Sequence, residues 1–272
     1  VIDEMLNSSS HKTPLELDSR SRAEYTRLLG LANHLLGYDY WINQHDLQQG
    51  IQYSHWALKY YRAIQDQEGI ATVLDNLARM YALKHDQAQA RTDHHQSLLI
   101  RVAQRQGNQY RLALGLISGA EINIIFGCFD KAEFQLNQAR LRCEKEGRQR
   151  GLGLIYSAYG RLYRQIAAQS GLSEEERFNS LRQALTFLRK AENIFKQEVE
   201  EPVRLIEVIN ELGCVYRDWA AIRRPGGSVV VKECQDSSLA NFKEARRLAS
   251  IHHPGWYDRI PAEIPASWAY AS

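Results

Sequence analysis

The sequence predicts an all-α fold, a solenoid of about five antiparallel helix pairs, and three observations carry that expectation. Of six prolines, Pro225, Pro254, Pro261 and Pro265 lie beyond residue 220, which leaves long earlier stretches where no missing N–H interrupts a helical ladder. A pattern of small residues recurs five times along the chain, the signature of a repeat architecture. The small residues also come in pairs seven apart, about two helical turns, so each pair lies on one helix face.

Each repeat has a small residue in an amphipathic run, then a turn, then the spaced pair with a bulkier side chain between its members. In chain order the leading residues are Gly30, Ala78, Ala120, Gly160 and Gly213. The pairs that follow are Gly50/Ala57, Ala90/Ser97, Ala132/Ala139, Ala184/Ala191 and Ser238/Ala245, enclosing Ser54, His94, Leu136, Leu188 and Phe242. Small side chains let two helices approach closely while their larger neighbours fill the space around the contact. One hairpin cannot bury its second apolar face alone, so successive hairpins stack into one array. With 272 residues, 44% of them hydrophobic, the chain is long enough for that array to hold a sizeable core.

Three connections are longer than the pattern needs: Leu36 to Asp46, Ala168 to Phe178 and Ile222 to Ser237. In the second, Ser173 and Glu176 have the spacing of a capping box, so the extra residues extend a helix. The third holds Arg223, Arg224, Pro225, Gly226, Gly227 and Ser228 before Val229, Val230 and Val231; breakers beside a β-prone run predict an irregular loop. Its glycines are not followed by Gly-Lys-Ser/Thr, so it is read as solvated and not as a phosphate cradle. The expected organisation is a lead-in over 1–21, the repeats over 22–250 and an irregular segment over 251–272. Pro254, Trp256, Pro261, Pro265 and Trp268 suit that last segment to covering the open end of the stack or to linking onward.

Leu77-Ala78-Arg79-Met80-Tyr81 followed by Ala90, Leu212-Gly213-Cys214-Val215-Tyr216, and Phe126-Gly127 before Ala132 resemble the tetratricopeptide repeat family. Tyr163 repeats the aromatic three residues after a leading small residue. The resemblance covers roughly residues 22–250 and implies a right-handed superhelix whose concave face binds a peptide or protein. The spacing from Ala78 to Ala120 is 42 residues and from Ala120 to Gly160 is 40, longer than the family's usual 34 and similar to kinesin light chains and the sensor regions of bacterial signalling ATPases. Asn123, Gly119 and His94 depart from the family's preferred aromatic, leucine and bulky residues. The paired Lys and Asn with which some members clamp a carboxylate are absent.

Lys plus Arg at 34 against Asp plus Glu at 32 gives a formal charge of +2, far from the bias of a dedicated nucleic-acid binder. Cys128, Cys143, Cys214 and Cys234 form no CxxC pair, which predicts a reducing, cytoplasmic setting. No run approaches the roughly 18 apolar residues of a membrane span. His94-His95 and His252-His253 lack metal-ligand spacing, no nucleophile motif occurs, and neither cofactor, metal nor enzymatic activity is expected. The start at Val1, without an initiator Met, leads us to expect a piece of a longer signalling or assembly protein.

In stacked hairpins the first helices line the concave surface, and the residues flanking the small contact point into it. That rule selects Arg27 in the first repeat, Asp75, Asn76 and Arg79 in the second, Glu121 in the third, Arg161 and Arg164 in the fourth, and Asn210 and Arg217 in the fifth. Asn amides suit a peptide backbone and Arg forks suit carboxylates. The expected partner is a peptide or protein; the alternative is a nucleic acid whose phosphates follow Arg79, Arg161, Arg164 and Arg217.

Overall fold

A computed structural model of the chain describes residues 18–44, 46–104, 109–222 and 228–261. They form ten α-helices with no strand among them: α1 Ser19–Ile42, α2 Leu47–Ala63, α3 Gln67–Leu83, α4 Gln87–Ala103, α5 Gln109–Ile125, α6 Phe129–Lys145, α7 Gln149–Ala167, α8 Glu174–Asn193, α9 Pro202–Ala220 and α10 Ser228–His252. Each odd-numbered helix packs most extensively on the even-numbered helix that follows it, giving five consecutive pairs. The first helices also approach one another in sequence, α1 to α3 and on to α9, whereas no two second helices meet among the described residues. One wall of the solenoid is therefore built from α1, α3, α5, α7 and α9, with the second helices outside. No described helix is long and apolar enough to cross a membrane.

Several turns share one chemistry. After α2, α3, α5 and α6 a residue with positive φ (Gln65, His85, Gly127, Gly147) precedes the first residue of the next cap. The backbone N–H groups of Asp66, Asp86, Cys128 and Arg148 then donate back across the turn to Tyr61, Tyr81, Asn123 and Cys143 carbonyls at 2.8–3.0 Å. This six-to-one bond is the Schellman arrangement, which satisfies helix-end carbonyls and reverses the chain in few residues. Asp46, Asp66 and Asp86 each accept a hydrogen bond from the third residue of the helix they open. The predicted capping box at the start of α8 is present, with Ser173 and Glu176 exchanging both hydrogen bonds.

The small-residue pattern is the packing rule of the molecule. Ala57, Ala78, Ala90, Ala120, Ala132, Ala139, Ala184, Ala191 and Ala245 are buried, as are Ser97 and Ser238. Ser97 and Ser238 donate across the pair to the carbonyls of Ala71 and Gly213, both at 2.9 Å, so these hydroxyls enter the interior satisfied. In the last two repeats the bulky residue between the pair lies on the leading glycine: Leu188 on Gly160, and Phe242 on Gly213, where a Cβ would stand 2.5 Å from the ring.

Three expectations require correction. In the first repeat it is Gly37 that faces the residue between the pair, where a Cβ would stand 2.8 Å from Ser54 Oγ; Gly30 packs on Tyr61 instead. The two glycines are seven residues apart on one face of α1, so sequence spacing alone does not choose between them. The predicted turn from Leu36 begins only after Ile42, because α1 continues for two more turns. Val229 to Val231 belong to α10, a helix 25 residues long, and the strand propensity of three residues is a weak prior against a helix of that length. Residues 223–227 lie outside the described part, as do 262–272 with Pro265 and Trp268. Before them, Pro254–Arg259 makes a short 3-10 turn, and Trp256 and Ile260 pack on the core of the last pairs.

Gly213→Ala should destabilise the protein by about 1–3 kcal/mol, as an overpacked core contact does. Adding Phe242→Leu should recover part of that loss in a denaturant-unfolding cycle; equal losses from the single and double variants would show that the methyl is not opposed by the ring.

Candidate functional site

The first helices together line a cavity of about 420 Å³. All five contribute: Trp41 from α1, Arg79 and Leu83 from α3, Glu121, Ile124 and Ile125 from α5, Arg161, Arg164 and Gln165 from α7, and Arg204, Glu207 and Glu211 from α9. On each helix that supplies several of them, the later residues follow the first by three, four or seven positions, which puts them on one face. Trp41, Leu83, Ile124 and Ile125 give the α1–α5 side an apolar character; α7 and α9 supply most of the charge.

The charges are paired with each other. Glu121 is held between Arg79, whose Nε lies 3.0 Å from Oε2, and Arg161. Arg79 also lies over the Trp41 ring, 4.7 Å from its centroid, and Arg161 donates to Ser157 Oγ at 3.2 Å. Arg164 bridges Glu211 at 2.6 Å and Asp218 at 2.9 Å, and Arg204 contacts Glu207 at 2.7 Å. Burial alone would raise the Glu121 carboxyl, but Arg79, Arg161 and Arg204 together outweigh it and hold the group below its ordinary value. Burial, then the neighbouring Glu211 carboxylate, pushes the Cys214 thiol on α9 up to about 11, so it is protonated at neutral pH.

Of the residues selected from sequence, the structure brings Arg79, Glu121, Arg161 and Arg164 to the cavity. Arg217 is beside it, paired to Asp218 at 3.0 Å. Asn76 and Asn210 are half-buried and line no part of it, and Asn210 Oδ1 is buried without a hydrogen-bond partner. Arg27 stands apart, exposed and bound to Glu24 at 2.7 Å, the consequence of taking Gly30 for Gly37. Asp75 is also not a surface residue. It is buried between α3 and α4, where Arg101 donates to it at 2.8 Å, and Arg101 and Arg111 both reach Glu68, at 3.5 and 3.0 Å. That network joins α3, α4 and α5 and is structural.

Sequence reasoning missed Trp41, Arg204 and Glu207. Trp41 follows Gly37 by one turn and would have been found with the first repeat in its true alignment. Arg204 and Glu207 lie more than a turn before Gly213, beyond the flanking positions that the repeat rule inspects. Among the described residues no group of His, Cys, Asp and Glu has the arrangement of a metal site.

A second, smaller cleft of about 240 Å³ lies over α7 between α6 and α8. Its rings stack on one another, Tyr159 on Phe187 at 4.6 Å and Tyr163 on Phe187 at 5.7 Å. The Lys190 ammonium already covers Tyr156 and Phe187, and the Tyr163 hydroxyl donates to Glu133 at 2.7 Å. No protein-family profile matches the chain, and no curated protein aligns significantly with it.

Two measurements follow. Because the Glu121 pKa is depressed on folding, its contribution to stability is present above the ordinary value of 4.5 and lost as pH falls through the folded value. The urea midpoint should therefore drop on acidification below that value, and Glu121→Gln, already weaker at pH 7, should lose less over the same window. Asp75→Ala should cost about 3–5 kcal/mol by leaving the buried Arg101 with only Glu68, at 3.5 Å, as its carboxylate partner, whereas Asp75→Leu with Arg101→Met should recover most of it; equal losses would mean the pair contributes only volume.

Proposed function

We propose that the chain is a tetratricopeptide-type solenoid that binds a peptide in its concave cavity, and that it serves as a cytoplasmic sensor or regulatory module of a larger signalling or assembly protein. The single observation that carries this reading is the cavity itself, to which the first helix of every one of the five pairs contributes. A ligand held there touches the whole array, so its binding free energy acts on all five pairs together. The role is binding and not catalysis: the cavity's acids and bases are each engaged with an opposite charge, an arrangement that orients a ligand but leaves no free base to take a proton.

The same pairing favours a peptide over a nucleic acid. Phosphate tracking needs cations free to replace counterions, whereas Arg79, Arg161, Arg164 and Arg204 each have a carboxylate within the wall. A peptide offers both signs and an amide backbone, so the Arg–Glu pairs can exchange partners with it while the apolar side accepts a hydrophobic side chain. Such an exchange gives orientation and specificity more than raw affinity.

Selection from a random peptide pool, followed by titration of the recovered sequences against the protein, tests the reading. Binding should perturb Trp41 fluorescence, an effect lost in Trp41→Phe, and Arg161→Glu with Arg164→Glu should weaken it at least about tenfold, equivalent to about 1.4 kcal/mol, while leaving the helical circular dichroism in place. Affinity should fall only mildly with log salt. A steep linear fall, with oligonucleotides bound and peptides not, would establish the nucleic-acid alternative instead.

A further inference from the structure

The two ends of the solenoid meet. Arg204 Nη2 of α9 donates to Tyr38 Oη of α1 at 3.4 Å, across 166 residues of sequence. At a second point, in the loop after α1, the Asn43 carbonyl faces Gly255 of the C-terminal turn so closely that a Cβ on the glycine would stand 3.3 Å from the oxygen. Trp41 and Arg204, which line the cavity, lie one turn from or within the first of these contacts. A stack of helix pairs whose first and last members touch is a ring, and its interior is reached along the axis and not from the side.

Size points the same way. At about 420 Å³ the cavity is at the small end of ligand pockets, about 300–1,000 Å³, and a folded partner would need roughly 800 Å² of contact on its own side. We infer that the ligand is a short peptide with a free chain end, threaded along the axis of a ring held shut by the Tyr38–Arg204 and Asn43–Gly255 contacts. A segment fixed between two folded domains has no end to thread and is excluded. This inference rests on the peptide reading of the cavity. The closure itself is light: α1 and α9 have no Cα atoms within 8 Å of each other, and the Tyr38–Arg204 hydrogen bond spans that gap on two long side chains.

Asn43 and Gly255 lie outside the ten α-helices and outside the cavity wall, which makes them the place to lock the ring without altering the site. Asn43→Cys with Gly255→Cys, in a Cys128→Ser background that removes the one native cysteine that is not buried, is joined by a short thiol-to-thiol crosslinker. Asn43→Cys with Gly171→Cys serves as the control pair, and circular dichroism verifies folding. The probes are a pool of random linear hexapeptides and the same hexapeptides inserted as linkers between two folded domains.

The expected result is an intramolecular bridge in the dilute monomer, absent from the control. Bridged and unbridged protein should retain the linear pool within about twofold of each other, and the bridged form should retain the flanked pool at least about tenfold less. Three results would overturn the inference: no bridge, loss of the linear pool on bridging, or equal retention of the flanked pool by the bridged ring. If neither form holds any linear hexapeptide, the peptide reading fails and the free-end inference with it, while bridging still reports separately whether the ends meet.

Discussion

The close approach of helices at small side chains is the constraint on which the rest of this structure depends. Gly213 and Gly160 have no room for a Cβ because Phe242 and Leu188 occupy it, and the alanines at the other crossings are buried. That approach sets the separation within each pair, and the first helices are drawn near enough to form one wall. Larger residues at the crossings would splay the pairs and separate the side chains that now converge on the cavity.

Convergence then dictates electrostatics. Bringing Arg79, Arg161, Arg164 and Arg204 onto one narrow surface would be self-repulsive if they stood alone, and removing them from water would cost more still. Glu121, Glu207, Glu211 and Asp218 answer each of them. The interior of the second and third pairs meets the same problem in the same way, with Arg101 set between Asp75 and Glu68. The two networks differ at their centres: Arg101 and Asp75 are buried between α3 and α4, whereas the arginines of the first line the cavity.

How much of this was legible in the sequence follows from what repeats. Helix pairing, the buried alanines and serines, and the Ser173–Glu176 cap could be read because each depends on residues close in sequence or on a pattern seen five times. The displacement of Gly30 by Gly37 could not, since both satisfy the same seven-residue spacing and only their contacts, Tyr61 against Ser54, separate them. Asp75 has the position of a groove residue on α3, but its side chain is drawn inward by Arg101, which lies 26 residues away. Val229 to Val231 are strand-forming residue types at the start of a long helix, where local propensity is only a weak prior. Arg161 and Arg164 were found, and Glu121 with them, but not which charge pairs with which, because charge pairing between helices leaves no mark on a single strip of sequence.

The meeting of the ends also bears on how the molecule comes apart. In an open array each internal unit has two neighbours and each terminal unit one, so unfolding begins by fraying from the ends and proceeds in steps. Here the loop at Asn43 and the turn at Gly255 give the terminal units a second neighbour in each other. A chain of coupled units becomes a cycle, and loss from either end must first break the light contact that joins them. Its amide protons should exchange more nearly as one cooperative block than as a gradient running inward from the two termini.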